Sequence, residues 1–179
     1  MIPFAKRLTV LETERLRLQP LIEADAADIF PLMGDPEVMA FLDMPQTDEP
    51  DLVAELVRAQ VAAMGQGKAV YWTIRTLDGA DFVGCCELAD IDRWHKRAEI
   101  GFMLGRGSWG SGYGHEAMQA VVAYAAAGGL RRLIATIHLG NRRSETILEK
   151  LGFKEEGLLR GHVLREGERR DCQVFGLLL

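Results

Sequence analysis

The stretch Arg106 to Met118, RGSWGSGYGHEAM, constrains the fold more than any other part of the chain. Four glycines, Gly107, Gly110, Gly112 and Gly114, fall within eight residues. Directly after them, HEAMQAVVAYAAA sets Ala117, Met118, Val121, Val122 and Ala125 at helical spacing among alanines that favour helix. Before them, AEIGFMLG alternates Ala98, Ile100, Phe102 and Leu104 with Glu99, Gly101 and Met103, the pattern of a half-buried strand. The predicted unit is strand, glycine loop, helix. Missing side chains let a polyanion approach the backbone, and the first N–H groups of the helix have no partner within it, so they can bind phosphate. The spacing narrows the ligand. No Lys-Ser or Lys-Thr follows the glycines as a nucleoside triphosphate loop requires, and Gly110-x-Gly112-x-Gly114 is not the dinucleotide fingerprint.

The rest of the chain reads as one domain over residues 1–179. Its first ten residues are expected to form a short arm. Leu16 and Leu18 then alternate with Arg15, Arg17 and Gln19, a strand with one wet face. A short helix is predicted over Asp25 to Met33, and a second is capped by Asp35 with Pro36 at its first position. A third spans Thr47 to Gly65, with Thr47 or Asp48 as cap, Gly65 and Gly67 at its end, and Leu52, Val53, Leu56, Val57, Val61 and Met64 as its buried stripe. Phe41 and Leu42 are core residues in this pattern, with substrate contact as the alternative. The strand Val70 to Arg75 turns at Asp78-Gly79 into DFVGCCELADI, and DRWHKR leads to the strand before the glycine loop. Gly128-Gly129 stops the long helix and LRRLIATIHL is a further strand. Asn141 then opens a short helix that buries Ile147, Leu148 and Leu151 and ends at Gly152. The tail is a hairpin turning near Glu166-Gly167, with Val174 and Leu178 on one face.

Composition bounds the function. With 48% hydrophobic and 26% charged residues, the chain is an ordinary globular one. MIPFAKRLTV shows no apolar run before a small-residue cleavage site and no window nears 18 uninterrupted apolar residues, so a cytoplasmic protein without a membrane span is expected. Cys85, Cys86 and Cys172 form no metal-ligand spacing; reduced, buried thiols and no metal are expected. A net charge of −5 disfavours nucleic acid and favours a cationic substrate.

The glycine loop resembles the acetyl-CoA loop of the GNAT superfamily of N-acetyltransferases. It is most similar to the branch of ribosomal-protein N-terminal alanine and serine acetyltransferases, whose loop commonly reads Trp-Gly-x-Gly-Tyr-(Ala or Gly)-x-Glu-Ala. Trp109, Gly110, Gly112, Tyr113, Gly114, Glu116 and Ala117 fit it. Three further segments are similar in order: ETERLRLQPLIEAD with GDPEVMAFL, where Gln19 replaces a usual arginine; NRRSETILEKLGF; and the spacing of Arg160, Gly167 and Asp171. Together they cover nearly the whole chain.

The resemblance implies a mixed α+β GNAT fold, a mostly antiparallel sheet of about seven strands splayed between the fourth and fifth and flanked by helices. It implies acetyl-CoA as cosubstrate and direct transfer to a primary amine, a protein N-terminal α-amine first, or a small molecule such as a polyamine, aminoglycoside or amino acid. A non-catalytic acetyl-CoA-binding regulatory module is the alternative of another class. A monomer or homodimer is expected. The N–H of Phe102 or Met103, in the strand ending at Leu104, would face the thioester oxygen. The pyrophosphate would rest on N–H groups of Trp109, Gly110, Ser111, Gly112, Tyr113, Gly114 and His115, with Arg106 assisting.

The catalytic residues are less sharply drawn. Positioning two reactants is worth up to about 7–11 kcal/mol, so few chemical groups are needed. Many superfamily members carry an acidic tyrosine seven residues after the motif asparagine, and Leu148 stands there instead. In the ribosomal branch the serine three residues after that asparagine is the usual candidate; Ser144 would contact the sulfur, with helix capping as the other reading. Asn141 would bond the pantetheine amide or an ordered water, or serve the turn alone. Glu99 is the first choice of base and Glu87, on the neighbouring strand, the second. Glu116, in the first helical turn, suits the helix dipole, and Trp109 and Tyr113 suit loop packing.

Overall fold

The computed structural model describes residues 9–179, so most of the expected N-terminal arm lies outside the described residues. Eight strands form one sheet: β1 (Leu11–Glu12), β2 (Leu16–Pro20), β3 (Val70–Thr76), β4 (Phe82–Asp92), β5 (Arg97–Leu104), β6 (Arg132–His138), β7 (Lys154–Arg165) and β8 (Glu168–Leu178). Their order across the sheet is β1-β2-β3-β4-β5-β6-β8-β7. Five α-helices complete the fold: α1 (Ala26–Met33), α2 (Pro36–Met39), α3 (Pro50–Gly65), α4 (Tyr113–Ala127) and α5 (Arg142–Lys150). The eighth strand, beyond the seven expected, is β1, whose two residues pair with Leu18 and Arg17. A two-residue strand leaves no periodicity to read.

The pair β5–β6 is parallel, and α4 provides the crossover that parallel neighbours require. That pairing covers only Arg97 to Glu99 against Arg132 to Ile134. From Ile100 to Leu104 the strand keeps its β4 partner but has left β6. The sheet is open there. Alternation along a strand turns every second residue's N–H and C=O toward that opening.

Each face of the sheet has its own apolar layer. Val70, Trp72 and Ile74 of β3, with Ile100 and Leu104 of β5 and Phe175 of β8, pack against Met118, Val121 and Ala125 of α4 and Leu148 of α5. Trp72 meets Tyr124 edge to face at 5.2 Å. The opposite face is covered by α1 to α3 through Ile29, Met33, Met39, Val53, Val57 and Met64, with Tyr71 and Met103 packed beneath them.

Several local expectations are met in detail. Asp35 caps α2, accepting the Glu37 N–H at 2.9 Å, with Pro36 at the first position. The β7–β8 turn has Glu166 at φ 53° and Gly167 at φ 83°, both in the left-handed region a two-residue hairpin favours. Others change. Helix α3 starts at Pro50, and neither Thr47 nor Asp48 caps it: proline holds Glu49 extended as the N-cap, and the Thr47 hydroxyl accepts from the Glu49 N–H instead. Leu52 is 49% exposed, so the buried stripe is narrower than its apolar spacing. Val174 and Leu178 do share a face as expected, the one away from the α4 layer, because the register sets Phe175 beside Ala135 and Leu177 beside Leu133. Cys86 and Cys172 are buried and unpaired, Cys85 half-buried and unpaired. No helix is long and apolar enough to cross a membrane, and no group of metal-ligating side chains forms, among the described residues.

Candidate active site

The open end of the sheet leads into a cleft of about 500 Å3. Phe102, Met103 and Leu104 of β5 line it, with Trp109, Gly110, Gly112, Gly114 and His115 from the glycine loop and α4, and Asn141 and Ser144 at the start of α5. Ser111 and Tyr113, expected beside them, do not. The Ser111 hydroxyl donates to the Ser108 carbonyl at 2.6 Å, and Arg15 stacks over the Tyr113 ring at 4.7 Å, so both serve the outer side of the loop.

The loop's glycines have different physical grounds. Gly110 and Gly112 sit at φ 73° and 85°, a region that side chains strain. Gly112 is the N-cap of α4 and has no side chain to cap it; the Tyr113 N–H donates to the Ser111 hydroxyl at 3.3 Å, which leaves the N–H groups of Gly114 and His115 in the first turn for a ligand. Gly114 has another reason: a Cβ there would lie 2.8 Å from Ile147 Cδ1 and 3.0 Å from Leu104 Cδ1. It lets α4 pack on β5 and α5.

Two arginines hold the loop through carboxylates. Arg106, expected beside the phosphates, is engaged by two carboxylates, its Nε meeting Asp35 at 2.7 Å and its Nη1 Glu37 at 2.6 Å. It ties the loop to α2. Arg15 bonds Glu116 through its backbone N–H at 2.8 Å and Nε at 2.7 Å, and reaches the Ser111 carbonyl at 3.0 Å. Thr13 adds a hydroxyl bond to Glu116 at 2.6 Å. Burial works against the Glu116 charge, yet these hydrogen bonds hold its carboxyl below the ordinary range. Glu116 therefore clamps the β1–β2 turn to α4 as well as suiting the helix dipole.

Cationic lining comes from α5, which sequence reasoning missed. Arg142, Arg143 and Lys150 border the cleft, and Arg143 lies over the Trp109 ring at 3.8 Å. The adjacent arginines after Asn141 were the available signal. On the other wall stand Glu37, Val38, Phe41 and Leu42 from α2 and the segment after it.

Asn141 caps α5, its Oδ1 accepting the Ser144 N–H at 3.3 Å, which leaves its NH2 group as the donor. Ser144 takes part in that cap through its backbone, and its hydroxyl has no hydrogen bond among the described residues. Leu148, at the position where a tyrosine acid is absent, is fully buried in the core.

Glu99 and Glu87 lie outside the lining of this cleft, on the sheet face that also carries Met103. Glu87 stands opposite Gly101 in the β4–β5 ladder, and Glu99 opposite Ala89 one row on, so the carboxylates are diagonal neighbours. Burial, and then the charges of Glu99, Asp90 and Asp43, push the Glu87 carboxyl up to about 7. Tyr71 lies opposite Glu87 in β3, and burial followed by the charges of Glu87 and Asp90 pushes its hydroxyl up to about 12.

The uncharacterised N-acetyltransferase p20 of Bacillus licheniformis is 30% identical over 172 residues, 96% of this chain and 97% of its own. The solved structure of RimL, a ribosomal L7/L12 alpha-N-protein acetyltransferase in complex with coenzyme A, matches with a TM-score of 0.87 at 19% identity, over 96% of this chain and 98% of that one. Spermidine N-acetyltransferase from Vibrio cholerae, in complex with CoA and spermine, matches with a TM-score of 0.81 at 19% identity, over 93% and 96%. At such identities the two structures establish the fold. The family model of the acetyltransferase (GNAT) domain matches residues 15–154, and the chain belongs to the GNAT family of acetyl-CoA-dependent N-acetyltransferases.

Proposed function

We propose that the protein transfers an acetyl group from acetyl-CoA directly to a primary amine, with the α-amine of a protein N-terminus as the acceptor class. The observation that carries this is the open β5–β6 ladder beside the uncapped N-terminus of α4, with a carboxylate titrating near neutrality on the adjoining strand. An uncapped helix start, glycines at positive φ and three cationic side chains on α5 fit a ligand with phosphates and an extended amide arm.

When bound, acetyl-CoA supplies the activated acetyl thioester. The first-turn N–H groups of α4 hold its phosphates, and backbone groups of Ile100 to Leu104 pair with its extended arm. A backbone N–H at Phe102 or Met103 polarises the carbonyl, and the Asn141 NH2 group orients the arm. The Ser144 hydroxyl donates to the departing sulfur. Glu87 takes the amine's proton and Glu99 keeps Glu87 basic.

The choice of amine follows from proton affinity. An α-amine has a pKa of about 7.7–8.0, close to that of Glu87, whereas a lysine-like amine near about 10.4 would lose its proton to Glu87 only uphill. The carboxylates Glu87, Glu99, Asp90 and Asp43 favour a second reading, a polycationic small molecule. A thiol-release assay with free N-terminal peptides, their α-blocked lysine counterparts and spermidine separates them. Release with the free peptides alone is expected; release with spermidine alone would replace this acceptor class. Binding of acetyl-CoA with no release on any amine would indicate a regulatory module.

A further inference from the structure

A second cavity, of about 350 Å3, adjoins the cleft and shares Phe41 with it. Its other walls are His138 and Leu139 at the end of β6 and Arg169, Arg170 and Asp171 of β8. Asn141, which lines the cleft, donates its backbone N–H to the carbonyl of His138, which lines the second cavity, at 3.1 Å.

The side chains around this cavity are arranged for an anion. Arg169 donates to the Gly161 carbonyl at 2.9 Å and Arg170 to the Ala40 carbonyl at 3.2 Å. Each guanidinium is thereby held by a neutral acceptor, and neither is ion-paired with a carboxylate among the described residues. Arg15, Arg75, Arg106 and Arg132 all are so paired. The one acid in the wall, Asp171, is already engaged by the Gly161 N–H at 2.7 Å. His138 is 4% exposed, its Nε2 lies 2.8 Å from Asp43, and its buried Nδ1 has no partner. With Asp43 accepting at Nε2, Nδ1 is the ring's open position: it can accept an amide N–H or, in the protonated ring, donate to an anion.

We propose that this cavity is an acceptor subsite for an anionic group, so that the preferred substrate is a peptide N-terminus carrying a carboxylate within its first two residues. The α-amine enters the cleft past Phe41, and the carboxylate lies between Arg169 and Arg170. This rests on the proposed acetyl transfer and narrows its acceptor.

The test compares amidated tripeptides Ala-Glu-Phe and Ala-Gln-Phe, with Ala-Gln-Phe free acid as a third arm to distinguish a side-chain carboxylate from a terminal one. Charge-assisted hydrogen bonds are worth about 1.5–3 kcal/mol, so wild type should favour the glutamate peptide by about tenfold or more in kcat/KM. Arg169→Gln and Arg170→Gln should each reduce that ratio to within about twofold, and Arg170→Lys should restore part of it. Equal rates for the amidated pair in wild type, or an unchanged ratio in both variants, would overturn the subsite. Preference for the free acid alone would move the recognised carboxylate to the peptide's end and overturn the stated position. If no peptide is acetylated, the transfer proposal fails. Calorimetric binding of the same peptides to protein loaded with coenzyme A then decides the subsite by the same ratio.

Discussion

Glu87 and Gly101 face each other across the β4–β5 ladder, and the Glu87 carboxylate occupies the space that a side chain at 101 would need: a Cβ there would lie 2.7 Å from Oε1. Gly101→Ala should therefore displace the carboxylate while leaving the glycine loop alone. The expected outcome is a fall in kcat of about tenfold to a hundredfold, consistent with losing part of a general base, with little change in acetyl-CoA affinity. Titration calorimetry beside steady-state kinetics checks both halves, and an equal loss in affinity would place Glu87 elsewhere in the cycle.

Glu87 also couples stability to pH. Its folded-state value, raised from 4.5 to about 7, means that the native protein binds more protons than the unfolded chain between those values. Its contribution is full below the unfolded value and is lost as pH rises through 7. For a fully buried carboxyl that rise corresponds to about 3 kcal/mol, and for half-buried Glu87 to about 1–2. Glu87→Gln should thus melt higher than wild type at pH 8 and equally at pH 4. Wild type should show a rise of kcat/KM through neutral pH, and the same variant should lack it.

The Glu116 clamp predicts the opposite pH sense. Its carboxyl is held low in the native state, so its stabilisation is present above the unfolded value of 4.5 and is lost as pH falls through the folded one. Glu116→Gln should cost about 1–2 kcal/mol at pH 7, the Arg15 side being exposed to solvent, and almost nothing near pH 3. Denaturant titrations at the two pH values measure this. Freed from Arg15, the loop should also bind acetyl-CoA several-fold more weakly.

What could be read from the chain was local. The strand, glycine loop and helix, the Asp35 and Asn141 caps and the Glu166-Gly167 turn each depend on residues within a few positions of one another, and each forms. What the chain did not show depends on residues far apart. Arg106 looks like a phosphate ligand until Asp35 and Glu37, some seventy positions earlier, are found on its guanidinium. Glu99 and Glu87 look alike as acids on wet strand faces; the difference between them is the neighbouring Gly101, which only the register reveals. The Arg143–Trp109 stack brings the start of α5 and the glycine loop together, and neither residue carries a mark of the other.

Gly114 offers a test in which two local effects oppose each other. Replacing a helical glycine by alanine ordinarily stabilises by about 1 kcal/mol. Here the new methyl would meet Ile147 Cδ1 at 2.8 Å and Leu104 Cδ1 at 3.0 Å, and such overpacking costs about 1–3 kcal/mol. Both neighbours are ends of flexible side chains, yet both line or back the cleft, and Ile147 moves with the helix that carries Arg143 and Ser144. Gly114→Ala should therefore be destabilised by about 1 kcal/mol in urea and should bind acetyl-CoA more weakly. Gly107→Ala, where a Cβ would meet nothing within 4 Å, should be unchanged in both measurements. If Gly114→Ala proved as stable and as tight-binding as wild type, the close packing of α4 on α5 would not be what that glycine secures.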